Sequence, residues 1–452
     1  MKKDLMKRFV SKALASAMFL SALPLSTSAA DSNDPMVVVS LGDSYSSGEG
    51  IPAFYGQEKP WEQRVYDEDW LAHRSTKSWP GLLEIPGISG TMNSYNVKQN
   101  SSSVCKWYFG AASGAETKHF GSERQRKDTY KRISLFKTLK TTSYLPKQLD
   151  IFNSINDDVD YVTLTVGGND VGFADIITTC ATGSTYLHFG SDKLKLEKQM
   201  DSIWAEFDTT QANIRNVYTG IQSSAGSQAD IIVAGYPKLL DKEGKGVLIS
   251  EKEASIVNEN VTKFNNRIAG IVNECRANGM NIHFVDVEAE FDKDGGHQAY
   301  SDNAWINKII LTKQDQDLDQ SGIASSYSIH PNEEGAKAYA RCVNAKIQEI
   351  ENSKLARAAQ LLQSAEETTA VSGLVCDTAD NTAAAGAVIN VYSGDELIMT
   401  VTADDNGNYS LELADGEYTL EVKADGYNDF VTELIINDDT EATVDTINLI
   451  RN

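Results

Sequence analysis

Met36-Val37-Val38-Val39-Ser40-Leu41-Gly42-Asp43-Ser44-Tyr45-Ser46-Ser47-Gly48-Glu49-Gly50 is the stretch whose reading decides the fold. Its first six residues form a continuous apolar run, which reads as a strand buried on both faces. The Gly-Asp-Ser that follows ends the strand and starts a helix. Ser44 therefore sits at a strand-to-helix turn, a natural seat for a nucleophile.

Further runs of the same kind are Tyr161–Val166, Ile231–Ala234 and Ile282–Val285. Helical periodicity covers Leu194–Ser223, Ser250–Asn278 and Asn332–Glu351. Buried strands alternating with helices predict an α/β domain over 31–352, a parallel sheet covered on both faces. Leu355, Ala358, Ala359, Leu361 and Leu362 extend a helical tail, and the polar stretch from Ser364 to Ala370 reads as a linker, so 353–370 is a connector.

Residues 371–452 carry seventeen acidic residues and only Lys423 and Arg451 as basic ones. Their pattern is period-two alternation, as in Val388-Ile389-Asn390-Val391-Tyr392, punctuated by Asp405-Asn406-Gly407-Asn408 and Asp415-Gly416. Short alternating strands between turn signals predict an antiparallel, all-β sandwich.

The N-terminus places Lys2, Lys3, Lys7, Arg8 and Lys12 before an apolar stretch from Ala13 to Leu23 and the small residues Ser28-Ala29-Ala30. That order is a secretory signal peptide over 1–30, too short in its apolar part for a membrane span. No other segment approaches transmembrane length. Removing the five basic residues and one acid of this segment takes the formal charge from −23 to −27. A strongly negative chain disfavours nucleic acid and anionic membrane surfaces as partners. The five cysteines, Cys105, Cys180, Cys275, Cys342 and Cys376, contain no CxxC pair. In an oxidising compartment they allow one or two disulfides within 31–352.

Three further patches follow the first in chain order: Phe109-Gly110-Ala111-Ala112-Ser113-Gly114-Ala115, Val166-Gly167-Gly168-Asn169-Asp170 and His330-Pro331-Asn332. Together the four resemble the SGNH, or GDSL, hydrolase family, and the resemblance covers nearly all of 36–350. It implies a three-layer α/β/α flavodoxin-like fold and ester hydrolysis with no cofactor. It also implies Ser44 as nucleophile, His330 as general base, and Gly114 (backbone N–H) and Asn169 (side-chain amide) as oxyanion donors. Attack by serine on an ester builds negative charge on the carbonyl oxygen, and one fixed donor is worth about 10²–10³ in rate.

The family usually carries an aspartate three residues before the histidine, where this chain has Tyr327. The sequence here is similar to a secreted actinobacterial-type esterase and lipase subgroup that uses a backbone carbonyl instead, so the Tyr327 carbonyl is expected to hold the ring of His330. The His-Pro pair reads as a helix start with proline first, whose positive end keeps the imidazole neutral. The C-terminal piece resembles carboxypeptidase regulatory-like, transthyretin-like modules through Gly386-Ala387-Val388, Asn406-Gly407-Asn408-Tyr409, Asp415-Gly416-Glu417-Tyr418-Thr419 and Ala424-Asp425-Gly426-Tyr427. Its expected role is spacer, stabiliser or contact with a cell surface or carbohydrate.

The substrate stays open between a lipid or phospholipid ester and an acyl group on a carbohydrate, with the subgroup tilting toward lipase-like acyl substrates. The rival reading is a surface-binding protein on an inactive hydrolase scaffold. Asp43, Asp170, His73, Arg74 and His297 read as loop supports. Asp315 to Gly322 has alternate carboxylates but lacks the glycine and glutamate of a calcium loop. Trp61, Trp70 and Trp79 suit either a substrate cover or the core.

Overall fold

The computed structural model describes residues 34–57, 67–134, 137–173, 176, 195–243, 249–312, 325–366, 369–394, 396–437 and 446–452. The expected signal peptide, the Asp315–Gly322 loop, Trp61 and Cys180 lie outside the described residues. The chain divides into two compact units with the boundary between Glu351 and Asn352.

The strands of the first unit are β1 (Met36–Ser40), β2 (Cys105–Phe109), β3 (Arg126–Ser134), β4 (Lys137–Tyr144), β5 (Tyr161–Leu164), β6 (Asp230–Ala234) and β7 (Ile282–Val285). Five of them form one sheet in the order β2-β1-β5-β6-β7, and every pairing in it is parallel. Counted within the sheet this is the order 2-1-3-4-5, the flavodoxin-like winding. All residues of β5 and β6 are buried, so both faces are covered, as continuous apolar strands require. Val37, Val38 and Val39 are each 0% exposed, and each such side chain contributes roughly 1.5–3 kcal/mol of burial.

The covering helices include α1 (Ser44–Ser47), α2 (Lys195–Ala205), α3 (Phe207–Ala225), α4 (Glu251–Ala277) and α5 (Glu333–Glu366). The single helix expected from Leu194 to Ser223 is therefore two, interrupted at Glu206, whose backbone leaves the helical region. α4 starts where sequence places it, because Ser250 and Glu253 form a reciprocal capping box. In α5 the buried positions Ala336, Ala340, Val343, Ile347 and Ile350 recur every three or four residues, which keeps one stripe on the core. The helix continues without a break through the residues read as a tail, to Glu366.

Strand β2 and the antiparallel pair β3–β4 are elements the apolar pattern does not announce. Trp70 and Trp79 are both 1% exposed and belong to the interior, not to a substrate cover. Cys105, Cys275, Cys342 and Cys376 carry free thiols, so the expected disulfides do not form among these four.

The second unit holds β8 (Thr369–Asp377), β9 (Val388–Ser393), β10 (Glu396–Thr402), β11 (Asn408–Leu413), β12 (Gly416–Lys423), β13 (Phe430–Ile436) and β14 (Ile447–Leu449). They form a four-stranded sheet β10-β9-β12-β13 and a three-stranded sheet β11-β8-β14. Val371, Val375, Ile389, Val391, Leu411 and Leu420 share the core of this unit. The turn before β11 closes on Asp404, whose Oδ1 accepts the N–H groups of Asn406 and Asn408 at 2.8 Å, with Gly407 supplying a φ of +79°. One pair departs from the antiparallel expectation, β14 running parallel to β8.

Candidate active site

In an open parallel sheet the crevice forms at the carboxyl ends of the strands, where the winding reverses. Here that point lies between β1 and β5. Ser44 follows β1, Gly114 follows β2 and Asn169 follows β5, so the topology brings three of the four motif patches to one rim. His330 arrives from the segment before α5.

The turn after β1 is held from several sides. Gly42 has a φ of +127°, and a Cβ there would lie 2.6 Å from the Ser46 hydroxyl and 2.8 Å from the Thr165 carbonyl. Only glycine fits. The Gln148 side-chain amide clamps the same residue, accepting the Gly42 N–H and donating to its carbonyl, both at 2.8 Å. Asp43 caps α1 by accepting the Tyr45 N–H at 3.0 Å. It also accepts the Thr165 hydroxyl at 2.7 Å and the Tyr236 hydroxyl. Burial raises the Asp43 carboxyl, and the three hydrogen bonds oppose that rise. Asp43 is thus a loop support.

The Ser44 hydroxyl lies 2.8 Å from His330 Nε2. His330 Nδ1 lies 3.0 Å from the Ser328 carbonyl. A carbonyl only accepts, so Nδ1 carries the proton and Nε2 is left with its lone pair toward the serine. The acceptor is therefore Ser328 and not Tyr327, whose carbonyl takes the His330 backbone N–H at 3.4 Å. The reason is the backbone of Ile329, which adopts a φ of +57° and turns the carbonyl two residues before the histidine toward its ring. Burial lowers the His330 pKa, while Glu49, the Ser328 carbonyl and Asp43 pull it back up.

Proline is not the first helical residue after this histidine. Helix α5 begins at Glu333, and Asn332 caps it by accepting the N–H groups of Glu334 and Gly335 at 3.0 and 3.1 Å.

Across the rim, Asn169 Nδ2 donates one proton to the Ala115 carbonyl at 2.9 Å, leaving the second for a ligand. Among the described residues the N–H groups of Ser44 and Gly114 have no acceptor. Asp170 accepts the N–H of Thr117 at 3.0 Å and its hydroxyl at 2.5 Å, which ties the Gly114 loop to the Asn169 loop. Arg74 holds that loop from below, donating to the carbonyls of Ala111 at 2.8 Å and Gly110 at 3.1 Å. His297 stacks on Trp305 at 3.5 Å and donates to the Asn303 carbonyl at 2.8 Å, a loop-fixing role.

A group the sequence did not single out is Glu49. It is 1% exposed, meets His73 Nδ1 at 2.6 Å and accepts the Ser326 hydroxyl at 2.6 Å. Its backbone N–H donates to the Ser44 carbonyl at 3.1 Å. Burial pushes the Glu49 carboxyl up, but His73 and His330 outweigh it and hold the pKa down at about 2. His73 itself stacks on Phe54 at 4.7 Å. A buried carboxylate thus joins the helix that begins at Ser44 to the turn that ends at His330.

A flavodoxin-like sheet that gathers this serine, glycine, asparagine and histidine at its switch point defines the class, an SGNH-type ester hydrolase. The sequence pattern of the GDSL-like lipase/acylhydrolase family matches residues 38–343, and the chain belongs to that family as a carboxylic ester hydrolase. Residues 370–449 match the carboxypeptidase regulatory-like domain. The chain is 28% identical over 305 residues to a lipase of Streptomyces rimosus, covering 66% of this chain and 88% of that one. It is 25% identical over 271 residues to Lipase 1 of Streptomyces coelicolor, covering 60% of this chain and 75% of the other. The solved structure of the extracellular Streptomyces rimosus lipase aligns at 26% identity over 69% of this chain and 99% of that one, with a TM-score of 0.46.

Proposed function

We propose that the protein is a secreted serine esterase of lipase type that works through an acyl-enzyme on Ser44. The observation that carries this reading is the 2.8 Å approach of the Ser44 hydroxyl to His330 Nε2, with the other ring nitrogen held by the Ser328 carbonyl. His330 takes the Ser44 proton as Oγ attacks the ester carbonyl carbon. The developing oxyanion is met by the N–H groups of Ser44 and Gly114 and the free amide proton of Asn169. Collapse of the tetrahedral adduct breaks the bond to the alkoxy oxygen, which leaves as alcohol with the proton from His330. Water then repeats the sequence on the acyl-enzyme, with His330 as base and then acid, and releases the carboxylic acid.

Among the described residues the His330 ring meets the Ser328 carbonyl and the Ser44 hydroxyl and no carboxylate, which supports a dyad with a backbone acceptor. The segment 1–30 is assigned to export on its order of basic, apolar and small residues. Residues 31–352 form the catalytic domain and 371–452 an accessory one.

The test is hydrolysis of p-nitrophenyl esters from acetate to long acyl chains by the full chain. Ser44→Ala and His330→Ala are expected to lose about 10⁴-fold or more in kcat, with no single Asp→Asn change as damaging. Activity that survives Ser44→Ala sinks the reading. The chain-length ranking decides between a lipid-type and an acetyl-type substrate.

A further inference from the structure

Strands β3 and β4 form a two-stranded sheet that pairs with no other described strand. A two-stranded ribbon is marginal in water unless something else covers it, so its composition matters. Residues 124–147 contain eight basic residues and one acid, Asp128, within a chain of net charge −23. That single acid is already shared, Arg126 reaching it at 3.1 Å and Lys140 at 2.9 Å. The ribbon is therefore strongly cationic in composition.

It also exposes apolar side chains. Leu139 is 48% and Tyr144 52% exposed. Register sets Tyr144 opposite Arg126 and Leu139 opposite Lys131. Directly opposed residues share a face and successive pairs alternate, so Tyr144 and Leu139 mark opposite faces of the ribbon. Cations interleaved with an exposed aromatic and an exposed leucine make the composition that partitions into the headgroup region of a negatively charged lipid layer.

The ribbon is rooted at the candidate active site. Gln125 Nε2 and Lys127 Nζ both donate to the Ser113 carbonyl at 2.7 Å, and Ser113 precedes the oxyanion glycine, Gly114. The remainder of the chain is strongly acidic and is repelled by an anionic surface. Local and global charge together impose an orientation, ribbon toward the lipid and acidic bulk away. The expectation that net charge disfavours anionic membranes thus applies to the rest of the molecule and not to this face.

We propose that the β3–β4 ribbon docks the enzyme on an anionic lipid surface and sets the mouth of the Ser44 site against it. The docking stands on the ribbon alone; delivery of substrate from that surface rests on the reading of Ser44 as nucleophile. The test uses the full chain carrying Ser44→Ala, so that lipid is not consumed, in cosedimentation with phosphatidylcholine vesicles and with vesicles also containing phosphatidylglycerol.

Binding is expected only to the anionic vesicles, and it should weaken as salt rises. The double variant R126E/K140E, which leaves the Lys127 anchor in place, should lower the partition by at least about tenfold. In the otherwise wild-type chain the same double change should leave turnover of a soluble p-nitrophenyl ester within about twofold, since neither residue touches the Ser44–His330 pair. If the double variant fails that turnover control, the salt titration of the unaltered ribbon decides. Equal binding to neutral and anionic vesicles, no binding to either, salt-independent binding, or a folded double variant that binds like its parent each overturns the proposal. So does capture by an anionic polysaccharide without capture by vesicles. Loss of the Ser44 reading shows separately, as ester turnover that persists in Ser44→Ala.

Discussion

The Tyr45 hydroxyl donates to the Ile329 carbonyl at 2.8 Å, fastening the helix that begins at Ser44 to the turn that ends at His330. Ile329 is a β-branched residue at a φ of +57°, a conformation that costs about 1–2 kcal/mol and persists only when its surroundings impose it. Its N–H donates to the Asn307 carbonyl at 3.1 Å, and the Asn307 N–H donates to the His330 carbonyl at 2.9 Å. Tyr45→Phe removes one of these restraints. It should cost about 1 kcal/mol of stability and lower kcat roughly tenfold through a looser Ser44–His330 approach, with KM little changed. Thermal melting and steady-state kinetics check both, and an unchanged kcat would show that the Asn307 bonds suffice.

Asn169 offers a sharper separation between binding and chemistry. Its amide is oriented by the Ala115 carbonyl, so the proton left over is fixed before substrate arrives. Asn169→Ala should lower kcat by about 10²–10³ with a small change in KM, since the oxyanion exists only beyond the ground state. A rise in KM at constant kcat would place Asn169 in substrate binding instead.

The sheet and its rim could be read from the sequence because buried parallel strands are apolar throughout, as in Met36–Leu41, and because glycine and asparagine punctuate their ends. The pairing of Ser44 with His330 rests on the family resemblance carried by the four motif patches, not on that punctuation. Ser328 could not be read, because a carbonyl has no side-chain signature and its aim depends on the φ of Ile329. Glu49 carries no distinguishing signal, since a carboxylate among glycines reads as solvated, while its burial depends on His73, distant by 24 positions. The β3–β4 ribbon escaped for the opposite reason. Arg126-Lys127-Asp128-Thr129-Tyr130 has no apolar face, so it lacks the alternation that marks a strand packed on a core.

The boundary between the two units falls between Glu351 and Asn352, inside helix α5. Truncation after Glu366 keeps that helix whole, whereas truncation after Glu351 removes its last turns. The longer truncate should retain turnover of a soluble p-nitrophenyl ester within about twofold, as expected of a domain with its own core. In the shorter one, Tyr161 still donates to Glu351, but that carboxylate now sits at a fraying end, and the melting temperature should fall by several degrees at most. Complete loss of activity in the longer truncate would mean that the second unit contributes to the catalytic one.

Glu49 makes the pH dependence of the enzyme specific. The proposed mechanism requires a neutral His330 to accept the Ser44 proton, and burial lowers its pKa from the ordinary value of about 6.5, so the acid limb of kcat/KM should lie below that value. The Glu49 charge opposes this lowering and, in the proposed mechanism, would stabilise the imidazolium formed as Ser44 attacks. In Glu49→Gln the acid limb should therefore move to still lower pH while the plateau falls, a pair of changes that a purely structural lesion does not produce. Stability supplies an independent check. Glu49 titrates at about 2 in the folded chain against about 4.3 in an unfolded one, so its contribution is complete above the unfolded value and is lost as pH falls toward the folded one. The melting temperature of the parent should drop across that interval more steeply than that of Glu49→Gln, and parallel curves would show that the carboxylate carries no charge in the buried site.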